Sequence, residues 1–312
     1  FSSPLAVGMS GNFRQMKRRI LNIAVFRKET LYQKMRALII YLVISAVFIG
    51  CTPILSVDAS TQSVYHFSDT DKNISLLDVS ETFGTYDGSF VLYDNNLDSW
   101  KIYDLEEATK RIPPESTYKI YDALLGLESG IITPEHSSMT WNGDAFPFPS
   151  WEADQDLNSA MQNSVNWYFQ AIDSQLGINR VQEFLNKIEY GNQTTSSNLD
   201  LYWSDFSLKI SPLEQVTLLK KFNTNEFHLN SQNVFSVKNA IKIASTPNGN
   251  FYGKTGTGRV NGQDINGWFI GYVETSDNSY YFATNIQSDS NATGKKAFEI
   301  TSDILKKLHI WN

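Results

Sequence analysis

Ser116 and Lys119 stand three residues apart, followed by apolar residues at Ile120, Ala123, Leu124 and Leu127. That spacing is helical, and a helix places residues three apart on one face. The Lys119 amine then reaches the Ser116 hydroxyl, which activates a weak alcohol nucleophile without histidine. Pro113-Pro114 stops the chain before the helix and Gly130 offers a stop after it. Ser116 falls at the helix start, where the dipole favours negative charge on its oxygen and free N–H groups can donate to an oxyanion. Alone, such a serine reads as an N-cap and such a lysine as a solvated helix residue.

The surrounding pattern turns that pair into a fold. Residues 89–94 (SFVLYD) and 100–104 (WKIYD) are β-rich runs separated by a polar hairpin signal at 95–99. Residues 156–189 read as helices; 248–255, 265–274 and 279–286 read as strands; 295–309 reads as a final amphipathic helix. Strands at both ends and helices between them predict an α+β domain, with a central antiparallel sheet and an inserted helical lobe. The nucleophile then lies where lobe meets sheet, a natural place for a cleft.

Residues 1–36 hold eight basic residues against Glu29 alone, net +7, while the remainder holds 18 basic and 32 acidic side chains, net −14. Residues 37–57 (ALIIYLVISAVFIGCTPILSV) carry no charge. About 21 apolar residues suffice to span a ~30 Å hydrocarbon core, and the basic flank predicts a cytoplasmic N-terminal side. The expected organisation is a cytoplasmic basic linker over 1–36, a transmembrane helix over 37–57 and an extracellular domain over 58–312. A buried core helix is the plainer alternative for 37–57, and it would carry a polar face. A start at Met35 with lipidation near Cys51 is another, and it leaves the domain on the same side. Residues 14–25 fit either an amphipathic helix on anionic lipid or a solvated loop. No aromatic interleaving accompanies the basic run, so the lipid bilayer and not nucleic acid is the expected partner. The chain begins at Phe1 and is read as part of something longer; its single cysteine, Cys51, allows no internal disulfide.

Two further motifs complete the chemistry. Ser164-Val165-Asn166 lies in a stretch read as helical, where a second serine could relay a proton to a leaving nitrogen. Lys254-Thr255-Gly256-Thr257-Gly258 ends a strand-like run. A cation and a hydroxyl at a strand edge can hold a carboxylate, and small residues let a flat ligand lie against the backbone. The Thr257 N–H could complete an oxyanion hole with that of Ser116. Taken singly, these read as incidental helix polarity and a glycine-rich turn.

S-x-x-K with K-T-G is the paired signature of the penicillin-recognising serine enzymes. With STYK (116–119), SVN (164–166), YGN (190–192), KTGTG (254–258) and GWFIGY (267–272), the chain from about residue 70 onward resembles the class D β-lactamases. More closely it resembles the extracellular sensor domain of membrane-bound β-lactam sensor-transducers, the antirepressors that control β-lactamase and methicillin-resistance genes. The resemblance implies a serine β-lactamase/penicillin-binding-protein-like fold. It implies Ser116 as acylated nucleophile, Lys119 as base, Ser164 as relay, and Asn166, Lys254, Thr255, Gly256, Thr257 and Trp203 around the substrate. Trp203 matches a tryptophan that packs on the active-site lysine in class D enzymes. Residues 1–28 resemble the linker after a zinc metalloprotease domain in these transducers, which implies an upstream protease and, indirectly, a repressor as partners. No H-E-x-x-H occurs, and His66, His136, His228 and His309 lack metal-ligand spacing, so zinc is expected only in that upstream domain.

Receptor and hydrolase share acylation and part at deacylation. Class D enzymes use a carboxylated lysine, matching Lys119, to drive water onto the acyl-enzyme. Their second motif is Ser-x-Val, whereas Asn166 stands here. An amide beside the lysine competes for it by hydrogen bonding and brings polarity to its pocket. The expectation is a β-lactam antibiotic receptor that acylates readily and deacylates very slowly. A membrane-anchored class D β-lactamase is the alternative, and a peptidoglycan transpeptidase or carboxypeptidase fits YGN and Trp203 less well.

Overall fold

The computed structural model of this chain describes residues 63–68 and 72–312. The expectations for the basic linker, the apolar run at 37–57 and Cys51 lie outside the described residues. Among the described residues, no helix is long and apolar enough to cross a membrane.

A single seven-stranded sheet organises the domain. Its strands are β1 (Asn73–Leu76), β2 (Asp87–Asp94), β3 (Ser99–Tyr103), β4 (Lys242–Thr246), β5 (Gly249–Val260), β6 (Gln263–Glu274) and β7 (Ser279–Gln287). They lie in the order β1-β3-β2-β7-β6-β5-β4. All neighbours run antiparallel except β1 and β3, which are parallel. The first hairpin pairs Asp94 with Ser99 as its polar connector predicts, and β2 then joins β7 from the far end of the chain. The two halves of the sheet are therefore joined only through the last strand, β7.

Successive β2 residues point to opposite faces, and both faces are covered. Phe90 and Leu92 join Phe251, Phe269, Phe282 and Ile286 beneath helix α9 (Gly294–Lys307), which contributes Ile300, Ile304 and Leu305. Val91 and Tyr93 join Ile270, Tyr272 and Tyr281 on the other face, under the helical lobe. Burial of each large apolar side chain contributes roughly 1.5–3 kcal/mol.

Among the described residues eight α-helices precede α9. These are α1 (Ser80–Phe83), α2 (Leu105–Thr109), α3 (Lys119–Glu128), α4 (Leu157–Gln162), α5 (Asn166–Leu176), α6 (Ile178–Ile188), α7 (Pro212–Asn223) and α8 (Ser231–Ala240). The α7 start is a capping box with Pro212 in its first turn: Ser211 accepts from Glu214 N, and Glu214 accepts from Ser211 N. Glu214 is also gripped by Arg111 at 2.5–3.1 Å, which ties α7 to the segment ahead of Ser116. The sequence reading missed β1, β4, α1, α2, α7 and α8. The two short strands lie at opposite edges of the sheet, where alternation is weakest.

One correction concerns the SVN motif. Its stretch is not one helix: α4 ends at Gln162, Ser164 has φ +52°, and α5 begins at Asn166. The turn aims Ser164 away from the helical path that the pattern MQNSVNWYFQ allows.

YGN serves the loop that follows α6. Asn192 accepts from Lys209 N at 2.9 Å and donates to Ser207 O at 2.8 Å, closing the segment that carries Trp203. Gly191 sits at φ +52° against Lys209, and a Cβ there would lie 1.9 Å from the Lys209 carbonyl oxygen. Gly191→Ala should therefore destabilise the domain by about 1–3 kcal/mol, read as a lower urea midpoint with an unchanged slope.

Candidate active site

The strand edge and the turn that carries Ser116 meet because glycine separates them. β4 pairs with β5 only as far as Tyr252, so from Lys254 onward one edge of β5 has no partner strand among the described residues. That edge faces a 3₁₀ turn at Glu115–Tyr118 leading into α3. A Cβ on Gly256 would stand 3.0 Å from Glu115 Cβ, 3.1 Å from the Pro114 carbonyl oxygen and 3.2 Å from Ser116 N. The turn is fixed from behind by β6: Trp268 Nε1 donates to Pro113 O at 2.8 Å, and Asn266 Nδ2 donates to Pro113 O and to Glu115 Oε1. This anchoring is the structural content of the GWFIGY strand.

Lys119 Nζ lies 2.8 Å from Ser116 Oγ and donates to Asn166 Oδ1 at 2.7 Å. Its side chain is 1% exposed. The Phe169 and Trp203 rings stand 5.6 and 5.5 Å from the amine. Burial brings the Lys119 pKa down to about 8, against opposing pulls from the carboxyl groups of Asp122, Glu115 and Asp173. A base in that range is neutral in a useful fraction near physiological pH.

Lys254 Nζ donates to Ser164 Oγ, a hydroxyl on the reversed turn ahead of α5, and to the Thr255 carbonyl oxygen at 3.0 Å. Burial, reinforced by the nearby Lys119 charge, pushes Lys254 well below the ordinary lysine range. Two hydroxyl–amine pairs thus face each other, one on the helical lobe and one bridging lobe and strand. An incoming carboxylate at the β5 edge would favour the charged form of Lys254.

A cleft of about 410 Å³ opens over this arrangement. Ser116, Ser164, Asn166, Thr255, Gly256 and Thr257 line it. Lys119, Lys254 and Trp203 are buried behind its wall and act through the residues that reach the surface. The structure brings together all nine residues singled out in the sequence, with Trp203 as packing for the lysine and not as part of the cleft lining.

The sequence reading missed several neighbours. Phe148 and Trp151 form an aromatic wall with ring centroids 5.2 Å apart, and Trp151 Nε1 donates to Asn163 O beside the Ser164 turn. Arg259 and Asp264 also line the cleft, joined in a two-pronged ion pair at 2.7 and 3.2 Å. They are cross-strand partners flanking the Asn261-Gly262 turn, so a hairpin reading of β5–β6 would have paired them. Glu115, next to Ser116, has φ +52° and is 6% exposed. Burial raises its pKa to about 8 despite the Asn266 hydrogen bond and the Lys119 charge, so it is mostly protonated near neutral pH. Among the described residues there is no group of three or more His, Cys, Asp or Glu able to hold a metal ion.

Comparison with known proteins agrees with this geometry. Residues 80–306 match the penicillin binding protein transpeptidase domain family. The chain is 43% identical over 314 residues to "Regulatory protein BlaR1" of Bacillus licheniformis, covering 99% of this chain and 52% of that protein. It thus spans about half the length of the curated relatives it matches. Among solved structures, the C-terminal domain of the Bacillus licheniformis BlaR penicillin-receptor superposes with a TM-score of 0.75 at 45% identity, covering 78% of this chain and 99% of that one. The class D β-lactamase BAT-2 superposes with a TM-score of 0.71 at 37% identity, covering 76% and 97%. The serine–lysine turn, the glycine-lined strand edge and the match over 80–306 place this chain in the penicillin-binding protein transpeptidase family, among the BlaR-type receptor domains that share the class D β-lactamase fold.

Proposed function

We propose that the domain is a β-lactam antibiotic receptor, acylated on Ser116 and slow to release the acyl group, and that it serves a signalling protein of the bacterial membrane. In this reading residues 1–36 are cytoplasmic, 37–57 span the bilayer and 58–312 face outward. The basic flank and the uncharged run support that placement. The length of the matched relatives supports an upstream partner domain, with any zinc chemistry and the route to a repressor belonging there.

Ser116 Oγ attacks the lactam carbonyl carbon and its proton passes to the neutral Lys119 amine. The lactam C–N bond breaks, and the leaving nitrogen takes a proton from the Ser164 hydroxyl as the Lys254 ammonium, bonded to that oxygen, supplies one in its place, so Lys119 ends protonated and Lys254 neutral. The Ser116 and Thr257 N–H groups are suited to the oxyanion. Thr255 and Lys254 at the open β5 edge suit the substrate carboxylate.

The observation that carries the receptor reading is the 2.7 Å hydrogen bond from Lys119 to Asn166. It puts a polar amide where a class D enzyme has valine. A lysine carbamate needs a dry, apolar pocket without competition for its nitrogen, and these surroundings do not fit one. Without a base for water, deacylation loses roughly 10²–10⁴-fold in rate. The likeness to class D β-lactamases favours hydrolysis as the second reading.

Intact mass spectrometry during exposure to benzylpenicillin separates the two. A one-to-one adduct that persists for hours is expected; a transient adduct with steady drug consumption would establish the hydrolase instead. Ser116→Ala should abolish labelling, and persistent one-equivalent labelling would remove Ser116 as nucleophile. Asn166→Val should raise turnover by at least about tenfold, within the range a general base supplies; unchanged turnover would assign the block elsewhere. Because Lys119 must be neutral to accept the proton and burial sets its pKa near 8, acylation should speed up as pH rises through about 8. A flat rate between pH 6 and 9 would contradict Lys119 as base.

A further inference from the structure

The Glu115 side chain lies along the strand edge that the chemistry above uses. A Cβ on Gly256 would stand 3.0 Å from Glu115 Cβ, and one on Gly258 would stand 2.9 Å from Glu115 Cδ and 2.4 Å from its Oε1. The side chain therefore runs along β5 from Gly256 to Gly258 and crosses the backbone of Thr257 between them. Asn266 on β6, the cross-strand partner of Gly258, donates to the carboxyl at 3.2 Å and fixes its far end. Asn266 is oriented in turn by Asn285 Nδ2, which donates to its Oδ1 at 2.8 Å. All three side chains are buried.

The two N–H groups suited to an oxyanion both depend on this side chain. That of Ser116 belongs to the peptide joining it to Glu115, so the Glu115 backbone sets its direction. In a 3₁₀ turn it would bond the Pro113 carbonyl oxygen, but Trp268 Nε1 and Asn266 Nδ2 occupy both lone pairs there. On β5, Gly253 N donates to Ile241 O on the β4 side. Alternation along the strand turns the Thr255 and Thr257 N–H groups to that same side, past the point where β4 stops pairing. One face of Thr257 is held by Gly294 N, which donates to its Oγ1 at 2.8 Å. On the lobe face the flanking glycines supply no side chain, and Glu115 fills that place.

We propose that Glu115 is a positioning residue: its side chain, laid against two glycines and pinned by Asn266, holds the Ser116 and Thr257 N–H groups in the mutual geometry of an oxyanion hole. The proposal rests on the acylation reading and deepens it. It also gives the second glycine of KTGTG a purpose, since any side chain at 258 would displace the carboxyl. Burial keeps that carboxyl mostly protonated near neutral pH, so no anion behind the donors opposes a developing oxyanion.

The test pairs acylation of the full chain by benzylpenicillin with the infrared carbonyl stretch of the acyl ester, which falls in frequency as oxyanion donors polarise it. Glu115→Ala should slow acylation by roughly 10–10²-fold, up to the cost of losing one donor outright. The dissociation constant of the initial complex should not change, the pattern of an interaction made only in the transition state, and the ester stretch should rise. Glu115→Gln, equal in length and neutral, should restore most of the rate and the low stretch. Gly258→Ala should reproduce the Glu115→Ala signature but add little to it in the double variant, where the clashing carboxyl is gone. An unmoved stretch in Glu115→Ala, a loss confined to the dissociation constant, or additive effects of the two alanines would overturn the proposal. If Glu115→Ala does not fold, Gly258→Ala and Glu115→Gln decide by the same readouts. Failure of the unsubstituted chain to form an adduct would strike the acylation reading alone. Hydrogen exchange over 113–117 and 254–258 would still decide the positioning: it should rise in both segments together in Glu115→Ala and return in Glu115→Gln, and a rise in one segment only would overturn it.

Discussion

An amine with almost no solvent contact is the element on which the rest of this site depends. Removing an ammonium from water costs several kcal/mol even after a protein relaxes around it. Lys119 is kept there by two short polar contacts, two aromatic rings and buried acids nearby. Each support comes from a different part of the chain: Ser116 from the 3₁₀ turn, Asn166 and Phe169 from α5, Trp203 from a loop. The fold must therefore be complete before the lysine is usable. The closure of the YGN loop around Asn192 and the anchoring of Pro113 by Trp268 are requirements of the chemistry as much as of stability.

Backbone geometry shows the same dependence. The residues just before Ser116 and just before the SVN valine, Glu115 and Ser164, both have φ of +52°. Non-glycine residues in that region cost of order 1–3 kcal/mol each and persist only where their surroundings over-determine them. Here Glu115 N donates to Trp203 O and Glu115 Oε1 accepts from Asn266, while Ser164 Oγ is held by Lys254. The conformations aim one hydroxyl at Lys119 and the other at Lys254. Glycine at 256 then lets the strand edge close on the turn to within about one side-chain layer.

Much of this was legible in the sequence, for identifiable reasons. The S-x-x-K spacing predicts proximity on a helix, and the serine–lysine contact appears as that logic requires, while the strand read as ending at Thr255 in KTGTG runs on to Val260. The final sheet and helix were legible because strong alternation and a long amphipathic period leave little ambiguity. The SVN break was not, since MQNSVNWYFQ contains no proline or glycine and only tertiary contact forces Ser164 out of the helix. The burial of Glu115, Asp122 and Asp173 was equally hidden: an acid in such a pattern reads as solvated. YGN was read as a family mark, and only the Lys209 carbonyl oxygen beside Gly191 explains why glycine is needed there.

The energetic distance between a receptor and a hydrolase on this scaffold is small. A loss of 10²–10⁴ in deacylation corresponds to roughly 3–5 kcal/mol at the transition state. That is comparable to what one buried polar group contributes or costs when its partner changes. In the proposed mechanism acylation and deacylation share Ser116, the oxyanion donors and the strand edge, so selection against turnover cannot weaken those without losing the receptor too. It can act only on groups needed for the second step. Asn166 meets that condition, because its amide touches Lys119 and lines the cleft while contributing neither nucleophile nor oxyanion donor. A covalent receptor therefore requires no new architecture, only a lysine environment in which the amine serves once and is then held.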